Sequence, residues 1–230
     1  MTVPLASAAK WLSDYGPWLL ELTGQHLMLS FLAIVIASAA AVPLGIALAH
    51  SKFRRLANAA IGIIGLVQPI PSLALVALAA VLFLAIGLPT IGIWPGLVAL
   101  VAYALLPILR NTYTGIRQVD PAVIEVATGM GMRSKQILYR VELPLALPFI
   151  MAGVRISMVW TIGIATLVSL IGADSLGKPI FQGISGDRID LILGGALPSI
   201  ALALLFEWLL GRLENALTPV GLERTQGRAQ

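Results

Sequence analysis

Few side chains in this sequence could do chemistry. Cysteine is absent, which removes thiolate nucleophiles, thiolate metal ligands and disulfides. His26 and His50 lie far apart, and neither sits in a cluster with ligand spacing, so no metal site is expected. Paired carboxylates, an activated serine and the phosphate-binding loop G-x-x-x-x-G-K-[ST] are missing. The chain is therefore expected to hold no catalytic residue and no cofactor, and not to bind ATP through such a loop. What remains is charge and polarity inside apolar runs. Arg155 and Glu207 are each flanked by apolar residues, and a charge deep in a bilayer costs about 3 kcal/mol or more unless it is paired or wet. Both stand at similar depth, so they are expected to pair, or Arg155 to meet helix-end carbonyls. A break, Gln68-Pro69-Ile70-Pro71-Ser72, interrupts another apolar run. Pro69 and Pro71 each remove a backbone donor and disfavour helix in the residue before them. Such a break persists at membrane depth only when buried in protein or facing a water-filled cavity. Gln68 and Ser72, with Thr161, Thr166 and Ser169 on a later run, are the polar groups a water-filled path would use. Trp160 could stack on a cation. Taken singly, such hydroxyls more often back-bond to their own helix, and such an aromatic more often packs.

Composition identifies the elements that must hold these groups. Of the 230 residues, 58% are hydrophobic and 11% charged, and the mean hydropathy is +0.93. An ordinary globular domain carries roughly 25% charged residues, so lipid must solvate most of this surface. The net charge of +4 and pI near 9.8 come from short basic clusters between apolar runs rather than one basic stripe. That pattern follows the positive-inside rule and excludes a nucleic-acid partner.

A spanning helix needs about 20 mostly apolar residues. Residues 27–49, 91–110, 145–171 and 191–211 qualify directly, while 57–87 is too long for one level span. The loop with Lys52, Arg54 and Arg55 and the loop with Arg110, Arg117, Arg133, Lys135 and Arg140 are the two most basic, so both belong in the cytoplasm. An even number of crossings must separate them, so 57–87 crosses once, its length accommodated by the proline break, and 91–110 crosses back. The expectation is an all-α polytopic membrane protein of five spans, N-terminus outside and C-terminus inside. Of the basic residues, only Lys10, Lys178 and Arg188 then face out. Residues 1–24 lack the basic start and cleavage site of a secretory signal. With Lys10, Asp14 and Glu21 among Trp11, Tyr15, Trp18 and Leu19, they read as an extracytoplasmic, interfacial amphipathic segment. Residues 25–215 form the membrane domain, 172–190 an outer glycine-rich loop and 216–230 a cytoplasmic tail.

Residues 111–143 are expected to form a cytoplasmic knob. Asp120-Pro121 supplies an N-cap and a proline at the first helical position. The helix 121–128 meets Gly129-Met130-Gly131-Met132, which should turn it. A second helix over 134–142 is expected to end at Leu143-Pro144. Met130, Met132, Ile137, Leu138 and Tyr139 among Arg133, Lys135 and Arg140 suggest a protein-docking surface.

Here the sequence resembles a family. Glu125-Val126-Ala127, three residues, Gly131, nine residues and Val141-Glu142-Leu143-Pro144 look like the pattern E-A-A-x3-G-x9-I-x-L-P of permeases in binding-protein-dependent ABC importers, with Val126 and Val141 as mild departures. The resemblance covers about residues 25–215. It implies the five-span, methionine-importer-like core. It makes Glu125, Ala127, Met130, Gly131, Leu143 and Pro144 residues that couple to an ABC ATPase subunit, with Glu125 anchoring to a basic group across that interface. It implies an extracytoplasmic substrate-binding protein, a second permease subunit (identical or similar) and a place in the bacterial cytoplasmic (inner) membrane. A narrower resemblance lies in Gln68-Pro69-Ile70-Pro71-Ser72-Leu73-Ala74-Leu75, Gly129-Met130-Gly131-Met132, Leu170 to Gly177 and Phe181-Gln182-Gly183-Ile184. These look like permeases of glycine betaine, carnitine and choline importers and imply osmoprotectant uptake. A cationic substrate argues against direct contact with Arg155. The alternatives are a permease for another small solute, such as an amino acid of the methionine type, and a stand-alone secondary transporter. The latter class would show an inverted repeat or a coupled acidic site, and no internal repeat is evident.

Overall fold

The computed structural model describes residues 5–217, and no strand occurs among them. The elements are α1 (Leu5–Ala49), α2 (Arg54–Gly65), α3 (Ser72–Ala85), α4 (Ile93–Arg117), α5 (Pro121–Gly129), α6 (Ser134–Ile137), a π-helical turn (Leu138–Glu142), α7 (Leu143–Ala165), a 3-10 turn (Leu167–Ile171), α8 (Gly177–Ser185) and α9 (Ile189–Leu217). Among the described residues four helical stretches are long and apolar enough to cross a membrane: Ser13–Ala49, Ile93–Arg117, Ser134–Ala165 and Ile189–Leu217. The stretch expected to cross over 57–87 is instead two shorter helices, α2 of 12 residues and α3 of 14. They flank the proline break.

Three expectations about element boundaries are corrected. First, α1 does not end an interfacial segment near residue 24; it continues unbroken for 45 residues. Early in the helix Thr23 Oγ1 donates to Leu19 O at 2.7 Å and Gln25 Nε2 to Glu21 Oε1 at 3.4 Å. Second, the helix after the knob does not stop at Leu143-Pro144. A proline inside an α-helix clashes with the carbonyl four residues back. The π-turn before it shifts the bonding, with Leu143 N–H reaching Leu138 O, so the chain runs on into α7. Third, residues 172–190 are not all loop. Gly177, Pro179 and Gly183 are buried in α8, so the small residues there serve close packing. The tail expected over 216–230 lies outside the described residues from 218 onward.

The chain divides into two compact units. The first comprises Met1–Ala33, Ile70–Leu100 and Trp160–Leu204. In it the Trp11 indole N–H donates to Asp190 Oδ2 at 2.7 Å, and Arg188 donates to the Tyr15 hydroxyl at 3.0 Å while stacking 5.3 Å over that ring. Arg188 also pairs with Asp190, and these hydrogen bonds, that to Asp190 foremost, push the guanidinium pKa further up. The start of α1 is thereby clasped to the start of α9.

The second unit comprises Ile34–Pro69, Val101–Val159 and Leu205–Gln230. Its core joins Ala49, Ile116, Ala146 and Ile150, with Val42, Ile46, Tyr113, Leu138 and Leu143 packed against them. α4 and α7 meet closely at Gly153, where an added Cβ would stand 2.8 Å from Asn111 Cβ and 2.9 Å from Pro107 O. One turn on, Ser157 Oγ donates to Ala104 O at 2.9 Å. Small-residue contacts and interhelical hydrogen bonds of this kind associate helices in lipid, where no hydrophobic force acts between them.

Candidate functional site

The knob begins as its sequence dictates. Asp120 caps α5, its Oδ1 accepting from Ala122 N–H at 2.8 Å, with Pro121 in the first turn. The helix ends at a Schellman turn: Met132 N–H reaches Ala127 O at 3.1 Å and Gly131 N–H reaches Thr128 O at 2.9 Å. Gly131 takes φ +79, whereas Gly129 stays within α5. Of the two glycines expected to turn the chain, only Gly131 needs its freedom, and open space around it shows that backbone strain, not crowding, excludes a side chain. α6 then starts with Gln136 reaching back to accept from Arg133 N–H at 2.8 Å.

This frame sorts the knob's side chains. Ala127 and Ile137 are buried, and Ala127 anchors the turn. Ile137 was expected on the docking face and is corrected: it points into the fold. Exposed instead are Val123, Val126, Met130 (71%) and Tyr139 (66%), among exposed Arg133, Lys135 and Arg140. Val123 escaped the sequence reading and Val126 entered it only as a departure from the motif, although the spacing of 123, 126 and 130 carried the signal. Leu143 packs into the core of the second unit, and Pro144 is half-buried at the start of α7.

A contact between distant residues roots the knob. His50, just past α1, places Nε2 2.9 Å from Glu142 Oε2 and 3.2 Å from Oε1, and Nδ1 2.9 Å from Ile46 O. Each ring nitrogen thus has an oxygen within hydrogen-bond distance. Glu142 is buried, so His50 is what satisfies its carboxylate. Beside this pair lies a cavity of about 460 Å³, lined by Arg117, Pro121, Ile124, Glu125, His50 and Glu142 among others. Glu125 is exposed and makes no ion pair or hydrogen bond among the described residues. The arrangement offers an unpaired carboxylate at the mouth of a cleft, on a rigid, apolar-tipped knob.

Arg155 on α7 stands 3.7 Å from Glu207 and 3.4 Å from Glu214, both on α9. The second carboxylate was not anticipated, though it lies seven residues on, two turns along the same face. The expected path residues divide between the two units. Gln68 and Pro69 belong to the second unit; Pro71, Ser72, Trp160 and Thr161 belong to the first. Gln68 is half-buried in the turn after α2, and Ser72 opens α3. Thr161 is buried while its neighbour Trp160 is half-exposed. Thr166 and Ser169 spend their hydroxyls on Gly163 O and Thr166 O, as ordinary back-bonding. Among the described residues no group of His, Asp and Glu could hold a metal ion.

Long apolar helices, broad exposed apolar faces and a capped helical knob define a polytopic, all-α membrane protein. Comparison with known proteins narrows this. Residues 41–219 match the family model of the binding-protein-dependent transport system inner membrane component. The chain is 46% identical to the carnitine transport permease protein OpuCB of Listeria monocytogenes, over 93% of this chain and 94% of that one. It is 42% identical to the glycine betaine/carnitine/choline transport system permease protein OpuCB of Bacillus subtilis, over 93% and 94%. It is 41% identical to the choline transport system permease protein OpuBB of the same species, over 94% and 95%. In three dimensions it resembles a chain of the MetNI methionine ABC transporter in an inward-facing conformation, with TM-score 0.78 and 22% identity over 88% of this chain and 97% of that one. At that identity the likeness speaks to the fold alone. The chain belongs to the family of inner-membrane components of binding-protein-dependent transport systems: it is a permease subunit of an ABC importer.

Proposed function

We propose that this permease carries a small osmoprotectant (glycine betaine, choline or carnitine) delivered by a separate extracytoplasmic binding protein and driven by a separate ABC ATPase subunit. The observation that carries the coupling half is the knob: a rigid turn at Gly131 presents Val126, Met130 and Tyr139, with Glu125 unpaired beside a cleft. In this reading Glu125, Ala127, Met130, Gly131, Leu143 and Pro144 transmit ATPase movement. Glu125 meets a basic group of the partner; Leu143 and Pro144 pass the push into α7. The solute class rests on relatives whose names specify carnitine, glycine betaine and choline, matched along more than nine-tenths of the chain. Gln68, Pro69, Pro71, Ser72, Trp160 and Thr161 are assigned to the path, and Arg155 with Glu207 to holding α7 against α9. Five spans are few to enclose a path, so a second permease subunit, identical or similar, completes it.

Five crossings are also favoured by parity. The contact of His50 with Glu142 requires an even number of crossings between them, and α4 supplies one. The contacts of Trp11 and Tyr15 with Asp190 and Arg188 require an even number between the two ends they join, where α1, α4 and α7 supply three. Both counts close if residues 54–85 cross once.

The test is affinity purification from membranes, followed by uptake of labelled glycine betaine, choline and methionine with and without the ATPase. Co-purification and ATPase-dependent uptake of betaine or choline are expected. Uptake of methionine alone would move the solute assignment, and uptake by the isolated chain would overturn the coupling assignment.

A further inference from the structure

His26 and Ser30 on α1 are left over by everything above. Both are fully buried in the first unit, at 0% exposure. Neither ring nitrogen of His26 nor the Ser30 hydroxyl completes a hydrogen bond. Four residues apart, they stand one above the other on the same helix face. Other helical hydroxyls behave differently: Thr23, Thr112, Thr128 and Ser199 each donate to the carbonyl four residues back.

A third group comes from α7. Beyond its end, Thr166 N–H turns to Gly163 O at 3.3 Å rather than to Ile162 O, the partner a continuing α-helix would use. The Ile162 main chain lies against the His26 ring, although no hydrogen bond of ordinary geometry forms. Thr161 and Ile162 are themselves buried, and Trp160 precedes them.

Unfilled hydrogen-bonding groups are costly inside any fold and more so in a membrane, where apolar side chains would pack freely. A polar side chain kept at such a place marks a function by default. The imidazole lone pair, the hydroxyl and the carbonyl offer acceptors without formal negative charge. Such a set suits a small cation or hydroxyl-bearing solute that must be held and then released.

We propose that His26 and Ser30, with Thr161 and the Ile162 carbonyl, form a solute-contacting station of the translocation path, closed in this conformation and opened at another stage of transport. The proposal rests on the reading of the chain as a permease for a small quaternary ammonium solute, and it names residues for that path.

Because the chain has no cysteine, Ser30→Cys gives the permease one thiol, whose labelling is followed on the permease band within the full assembly of permease, ATPase and binding protein in vesicles, against the unsubstituted permease as background. The probe is a trimethylammonium-ethyl methanethiosulfonate, itself a quaternary ammonium. The thiol at position 30 is expected to react about tenfold faster during ATP turnover than at rest, and excess solute to slow it. His26→Leu is expected to raise the uptake KM about tenfold while assembly and ATPase co-purification stay normal, with His26→Gln in between; removing a polar group that meets the bound solute reads out this way. A thiol unreactive in every state, or unchanged uptake in His26→Leu, overturns the station while wild-type uptake in the same vesicles remains normal. Absence of wild-type uptake of glycine betaine, choline and carnitine removes instead the solute reading, and the station with it.

Discussion

At Gly131 the turn demands one residue type. Its φ of +79 lies where a side chain costs about 1–2 kcal/mol, while nothing nearby blocks a Cβ. Gly131→Ala should therefore leave the protein inserted and folded but tilt the knob and lower ATPase-driven uptake several-fold. Gly131→Asn, which tolerates this backbone region better, should retain more uptake. Equal loss in both variants would point to contact with the partner rather than to backbone strain. The turn at Gly131 was legible because its glycine signal is local. His50 with Glu142 was not, since 92 residues separate them and no periodicity links the end of one helix to the turn before another. His50→Ala leaves the buried Glu142 carboxylate without its donor, a loss of about 1–3 kcal/mol. The expected result is lower uptake and weaker ATPase co-purification at normal membrane insertion. His50→Gln, able to donate one bond, should recover part of both.

Elements show where local rules yield. Pro144 signals a helix end, yet the helix passes through it because a π-turn at 138–142 relieves the clash. No propensity in Leu138–Glu142 announces that turn; it becomes intelligible only once Leu138 and Leu143 are seen packed into one core. The pairing of α7 with α9 shows the opposite case, a charge that could be read but not completed. Arg155 is about one-third exposed and meets two carboxylates, Glu207 half-exposed and Glu214 mostly covered. Partly exposed pairs contribute about 1 kcal/mol or less each. Arg155→Gln should thus lower the thermal midpoint of the purified protein by about 2–4 °C per kcal/mol lost, and Glu207→Gln by less, because Glu214 still holds the cation. The same geometry predicts that the double swap Arg155→Glu with Glu207→Arg fails to restore full stability, since it sets a carboxylate against Glu214. Full recovery in the double swap would mean that Glu214 takes no part.

For the whole molecule the deciding quantity is the number of membrane crossings. Among the described residues hydropathy and length alone yield four, because α2 and α3, about 18 and 21 Å long at 1.5 Å per residue, each fall short of a core about 30 Å thick. The basic clusters at 52–55 and 110–140 argued for a fifth from the sequence, and the His50–Glu142 contact argues for it independently, since charge bias plays no part in that hydrogen bond. A native chain without cysteine makes the count directly measurable. Lys52→Cys, Met130→Cys and Ile184→Cys each place one thiol at an exposed position, to be challenged with a membrane-impermeant maleimide in intact cells and in inverted vesicles. With five crossings, positions 52 and 130 react only from the cytoplasmic face and position 184 only from the outside. If α2 and α3 dipped in and returned, α4 would carry position 130 to the face opposite position 52 and α7 would bring position 184 back to it. The basic residues of the knob would then lie outside, out of reach of any cytoplasmic ATPase. Labelling of positions 52 and 130 from opposite faces therefore ends both the five-span topology and the coupling role built on it.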